Sequence, residues 1–102
     1  MPQSETHRLF QVLDNFTITA LLNSRLSRKD GPMAEGVWFI LNSQQTQGQE
    51  PPLPGQMATI HKPDGSVTIA EVVGAEKPHS VIALTFKGLG KEDVPRLSEV
   101  EW

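Results

Sequence analysis

The residues able to hold a metal or move a proton are few and scattered along this chain. Its three histidines, His7, His61 and His79, lie far apart. No His-x3-His or His-Glu-x2-His spacing occurs, so no metal site is expected. His61 stands beside Lys62 and a turn and reads as an exposed imidazole. Glu99 and Glu101 alternate, which puts both on one side of a strand. Paired carboxylates can act as acid and base, but a solvated strand face is the commoner meaning of this pattern. Gly88-Leu89-Gly90-Lys91 invites comparison with a phosphate loop. Such a loop needs a glycine five positions before Gly90 and a hydroxyl residue after Lys91; Thr85 and Glu92 stand there instead. The glycines read as a turn out of a buried strand. No Gly-x-Ser-x-Gly elbow is present. No catalytic, metal or cofactor-binding residue is therefore assigned, and the chain is read as a non-enzyme.

Residues that could meet a partner are easier to name. Arg25, Arg28 and Lys29 form the one basic cluster and could contact phosphate. The net charge of −3 favours a solvated loop over a nucleic-acid surface. Trp38 lies in an apolar run and is expected in the core. Trp102 ends the sequence and either packs on the fold or sits in a partner interface, where tryptophan is enriched.

The elements that must position these residues are mostly strands. Gln56–Lys62 and Ser66–Val73 flank Pro63-Asp64-Gly65, which spells a hairpin turn. Proline presets φ, aspartate bonds local backbone, and glycine accepts positive φ. Val37–Leu41 is a continuous apolar run, expected as a strand covered on both faces. Val81–Phe86 reads as a buried strand, and Gly74–Ser80 before it as a turn or loop. Lys91–Val94 suits one helical turn stopped before Pro95, and Ser98–Trp102 a last strand. For His7–Leu22 two patterns compete. Leu9, Phe10, Val12 and Leu13 have helical spacing, whereas Phe10, Val12 and, after a kink at Asp14-Asn15, Phe16 and Ile18 alternate. The β-rich composition of Phe16-Thr17-Ile18-Thr19 favours strands. Residues 23–36 read as an irregular connection. Residues 42–55 carry four glutamines and three prolines and read as a long surface loop or mobile flap.

A length of 102 residues fits a single domain, here residues 7–102 after a flexible start at 1–6. With no cysteine, neither a disulfide framework nor a thiolate metal site is possible. No apolar run approaches the ~20 residues that span a bilayer. The first residues lack the basic start and apolar core of a signal peptide. A cytoplasmic protein without membrane contact is expected. Six or seven short strands imply an all-β barrel or sandwich.

The order of segments resembles the second, β-barrel domain of translation elongation factor Tu and related factors. Phe10–Thr19 resembles that domain's opening arm, acidic pair and Phe-Ser/Thr-Ile-Ser/Thr strand. Leu53-Pro54-Gly55-Gln56-Met57-Ala58-Thr59-Ile60 looks like its apolar-x-Gly-Asp/Glu-x-Val-x-Ile strand. Val72-Val73-Gly74-Ala75-Glu76 matches its Val-x-Gly-Ile-Glu step. Val81–Val94 looks like its Val-Gly-Leu-Leu-Leu-Arg-Gly-Ile-Lys-Arg-Glu-Asp-Val stretch. Together these cover roughly half the chain, and the resemblance implies a small six-stranded antiparallel barrel with long surface loops at 23–36 and 42–55. It also resolves His7–Leu22 toward strand. Ala20-Leu21-Leu22-Asn23 lacks the family's glycines, and Pro95-Arg96-Leu97 replaces a later one. These residues hold no GTPase domain, so GTP hydrolysis is not implied. The family's barrel contacts aminoacyl-tRNA and ribosomal RNA, but none of its contact residues is carried over.

The expected role is a binding or adaptor module with a protein partner or a second copy of itself. Exposed strand edges and Trp102 offer surfaces for it. An RNA- or ribosome-associated module using Arg25, Arg28 and Lys29 is the alternative. A small enzyme with a site under loop 42–55 is the lesser one.

Overall fold

The structure, a computed structural model, describes residues 9–25 and 31–102. Residues 1–6, His7, Arg28 and Lys29, read above from the sequence, lie outside the described residues. Six antiparallel strands close into a barrel in the order β1-β2-β5-β4-β3-β6. They are β1 (Phe10–Ile18), β2 (Gly36–Leu41), β3 (Met57–His61), β4 (Val67–Glu76), β5 (Ala83–Phe86) and β6 (Glu99–Glu101). The all-β, six-stranded barrel expected from the sequence is the observed architecture. Among the described residues, no helix is long and apolar enough to cross a membrane.

Two bulges make the corners. In β1, Val12 faces Leu41 and Asp14 faces Ile40, leaving Leu13 as an extra residue. In β4, Val72 faces Phe86 and Gly74 faces Thr85, leaving Val73 extra. An extra residue bends a strand and reverses which face its side chains take. Phe10 and Val12 therefore point into the barrel, whereas Phe16 and Ile18 join a second cluster with Trp38 and Ala83. The kink read at Asp14-Asn15 is this bulge, one residue earlier.

The barrel interior holds Phe39, Leu41, Ile60, Val72, Ile82, Leu84, Val94 and Val100, all fully buried. The second cluster lies outside the wall, with Met33 and Ala34 packed over it. Thr19 caps the short α1 (Ala20–Arg25), its Oγ1 accepting from Leu22 N at 3.1 Å. Asn23 then donates Nδ2 to Met33 O at 2.8 Å and accepts from Met33 N at 3.2 Å. That pair holds Met33 and Ala34 against Trp38, whose Nε1 donates to Ala34 O at 2.8 Å. Trp38 is thus buried on the outward face of β2 while Phe39 and Leu41 are buried inside. The strand is covered on both sides, as its unbroken apolar run requires.

Residues 42–55 join β2 to β3 over the surface, anchored to the barrel by hydrogen bonds. They begin with α2 (Ser43–Thr46), capped by Asn42, whose side chain accepts from Gln44 N at 2.9 Å. Gln45 Oε1 accepts from Gln11 N at 2.7 Å, and buried Thr46 donates to Ser80 O at 2.6 Å. Lys77 Nζ donates to Gln49 O, and Gly55 N to Val72 O. Amide and hydroxyl side chains tie this segment to the barrel where apolar residues are few. Small differences from the sequence reading concern ends: β4 runs on to Glu76, and β5 begins at Ala83.

The β3–β4 turn behaves as its residues dictate. Gly65 takes φ 92°, Gly65 N donates to Lys62 O, and Lys62 N donates to Ser66 O at 2.8 Å. Asp64 Oδ1 accepts from Ser66 Oγ at 2.6 Å and Ser66 N at 2.9 Å. These bonds, the hydroxyl's foremost, hold the exposed Asp64 carboxyl below its ordinary value of 3.8. Since the folded value is the lower one, their stabilisation is complete above the ordinary value. It is lost as pH falls through the folded value. A carboxyl NMR titration should place the Asp64 midpoint below the ordinary value, and Ser66→Ala should move it up. An unchanged midpoint in the variant would contradict this account of the turn.

Candidate functional site

Of the four interaction residues expected from the sequence, the two that are described, Arg25 and Trp102, do not share a site. Arg25 is exposed at the end of α1, after the C-terminal end of β1. Trp102 stands at the opposite end of β1, its ring stacked on Phe10 with centroids 4.7 Å apart. The length of β1 separates them by roughly 25 Å at about 3.3 Å per residue. Trp102 is half-buried and packs against the interior cluster, so much of its surface is already used by its own barrel.

The outer face of the β3–β4 hairpin is the more unusual surface. Ala58, Ile60, Ala70 and Val72 point inward and are buried. Their neighbours in sequence, Met57, Thr59, His61, Val67, Ile69 and Glu71, point outward. Cross-strand partners on that face are Met57 with Glu71, Thr59 with Ile69, and His61 with Val67. Met57, Val67 and Ile69 are 53%, 54% and 64% exposed. The face continues onto β6, where Glu101 lies opposite Thr59 and Glu99 opposite His61. His61 Nε2 meets Glu101 Oε2 at 3.0 Å, so the imidazole expected to be merely exposed bridges β3 to β6.

The backbone beside Val67 and Ile69 is also open. Val72 N donates to Gln56 O and Lys62 N to Ser66 O. Bonds to one neighbour alternate along an antiparallel strand. Ala70 and Thr68 therefore bond to β3, while Val67, Ile69 and Glu71 turn their amides and carbonyls away from it. Glu71 O accepts from Lys87 N at 2.9 Å, just beyond the end of β5. Gly88, at φ 75°, then turns the chain off the sheet. Among the described residues, Val67 and Ile69 have no strand on that side.

Closure of the barrel thus removes most of the strand edges expected to be exposed. The other corner shows how such a place is ordinarily protected. Next to the Leu13 bulge, Leu13 O accepts from Arg96 Nε at 2.9 Å, and Asn15 N donates to Asp14 Oδ1 at 2.8 Å. Charged side chains blunt that edge, whereas Val67-Thr68-Ile69-Ala70 carries no charge. Sequence reading missed this site because it treated the hairpin as scaffold. The signal was present: β4 has Val67 and Ile69 at odd positions and Ala70 and Val72 at even ones. A strand with one buried face needs apolar residues at only one of those sets.

No group of three or more His, Asp or Glu residues able to hold a metal occurs among the described residues. The glycines of Gly88-Leu89-Gly90 form the turn after β5, as expected. Comparison with known protein families, with curated proteins and with solved structures finds no match to this chain.

Proposed function

We propose that this chain is a non-catalytic binding module of the cytoplasm that works by protein–protein contact, with a second copy as its first partner. The observation that carries the reading is the exposed apolar face of the β3–β4 hairpin beside an unblunted edge. Large apolar side chains clustered on one wall mark interaction sites when polar residues rim them. Here Glu71, His61, Glu99 and Glu101 supply the rim. The resemblance to the translation-factor barrel is kept as part of this proposal.

Light scattering on the purified intact chain tests the reading. The mass should rise from monomer toward dimer between low- and high-micromolar concentration. A constant monomer mass, or a mass that rises only when RNA is added, would overturn it. The second result would favour the RNA-associated reading and its basic residues.

A further inference from the structure

We infer that the self-association proposed above is made by one strand edge: residues 66–70 of β4 pair antiparallel with the same residues of a second copy across a two-fold axis. The inference rests on the self-association reading and names the surface and geometry it uses. Three observations carry it.

The first is the set of open backbone groups. The amides and carbonyls of Val67 and Ile69 point out of the sheet together, in the alternation an added strand requires. A two-fold axis through Val67 or Thr68 sets these groups against their own counterparts, so the segment serves as both donor and acceptor. The turn at Gly88 keeps the place beside them clear, because β5 continued past Lys87 would occupy it.

The second is charge. The hairpin tip carries Lys62 and Asp64, and the base of the edge carries Glu71 and Lys87. Antiparallel pairing brings the tip of one copy to the base of the other. Asp64 then approaches the second copy's Lys87, which stands beside the base of the paired edge. Opposite charges meet at both ends of the contact while its centre, Val67-Thr68-Ile69-Ala70, is uncharged.

The third is size. A contact of about five residues per copy lies well below the ~1,600 Å² of a standard interface, in the class of weak, reversible association. A micromolar equilibrium between monomer and dimer follows, rather than a permanent dimer. A peptide from another protein could use the same groups, but would not supply this reciprocal charge pattern.

Hydrogen exchange and cysteine cross-linking test the pairing in the intact chain. The Val67 and Ile69 amides should exchange more slowly as concentration rises, by more than about tenfold once over nine-tenths of the chains are paired. The Asn15 and Thr17 amides at the opposite corner should not change. Because the chain has no cysteine, single cysteines give clean cross-links. Under mild oxidation, either Val67→Cys or Thr68→Cys should form a covalent dimer, since the residue on the axis brings its Cα within the ~4.4–6.8 Å a disulfide spans. Thr59→Cys, on β3, should not. Ile69→Lys should return the protein to monomer with its circular dichroism unchanged, because that side chain is exposed. A dimer that survives Ile69→Lys and links through neither cysteine would overturn edge pairing while leaving self-association standing. A monomer at every concentration would overturn both, including a monomer that binds an extended peptide at the edge.

Discussion

Trp38→Ala should lower unfolding stability by about 3–5 kcal/mol, the range for removing a buried tryptophan. In a domain of this size that corresponds to a melting temperature lower by roughly 15 °C or more. Trp38 is 1% exposed and is the largest fully buried side chain, yet it lies outside the barrel. It stacks on Phe16 with centroids 6.2 Å apart, touches Ala83, and binds Ala34 O through its indole nitrogen. Its removal empties the outer cluster and frees the cover of residues 31–36. The barrel interior, which Trp38 does not enter, keeps its packing. Thermal denaturation followed by near-ultraviolet circular dichroism measures both effects. A loss below about 1 kcal/mol would show that the cover is not packed on Trp38 as described.

Gly74→Ala should cost about 1–3 kcal/mol by overpacking the same cluster from the other side. A Cβ at Gly74 would lie 2.9 Å from Trp38 Cη2 and 3.1 Å from the Thr85 methyl. Neither neighbour yields easily. The indole is held by Ala34 O, and Thr85 Oγ1 donates to Val37 O at 2.7 Å. Backbone strain is not the cause, since Gly74 is absent from the residues with positive φ. The discriminating measurement is a double-mutant cycle. Trp38→Phe removes the ring atoms that meet the new Cβ, so Gly74→Ala should cost markedly less in that background. Equal costs in the two backgrounds would place the penalty elsewhere. This glycine stands in the Val72-Val73-Gly74 step on which the family resemblance partly rests. Here its requirement is a close approach between β4 and a tryptophan on β2.

The fold was legible wherever local chemistry decides the outcome. The Pro63-Asp64-Gly65 turn formed as written, because each residue acts on backbone within two positions of itself. Val37–Leu41 came out doubly covered because an unbroken apolar run has no other stable place in a sheet. The His7–Leu22 ambiguity resolved to strand from Phe10, with the helix beginning only at Ala20. The attachments of segment 42–55 were not legible, because composition reports apolar content and not hydrogen bonds. They run through Gln45, Thr46 and Gln49 to partners about thirty positions away in sequence, which no local pattern reveals.

The candidate site was less legible. Trp102 attracted attention for its type, yet Phe10, distant in sequence, claims one of its faces. Val67 and Ile69 look like ordinary strand residues. Their openness depends on where Lys87 ends its pairing and Gly88 turns away, and that is a property of the closed barrel. Even so, the two apolar sets in β4 were readable as a strand with a second face to cover.

The role proposed for the β3–β4 wall is association between copies of this chain. Sedimentation equilibrium of the intact protein tests it most directly, at micromolar loading in 0.15 M and 1 M salt. The account predicts a reversible species at twice the 11.2 kDa monomer mass. That species should persist in high salt, because apolar contact and backbone pairing form its centre and the charges only its ends. A single 11.2 kDa species at every loading and both salt concentrations would contradict the account.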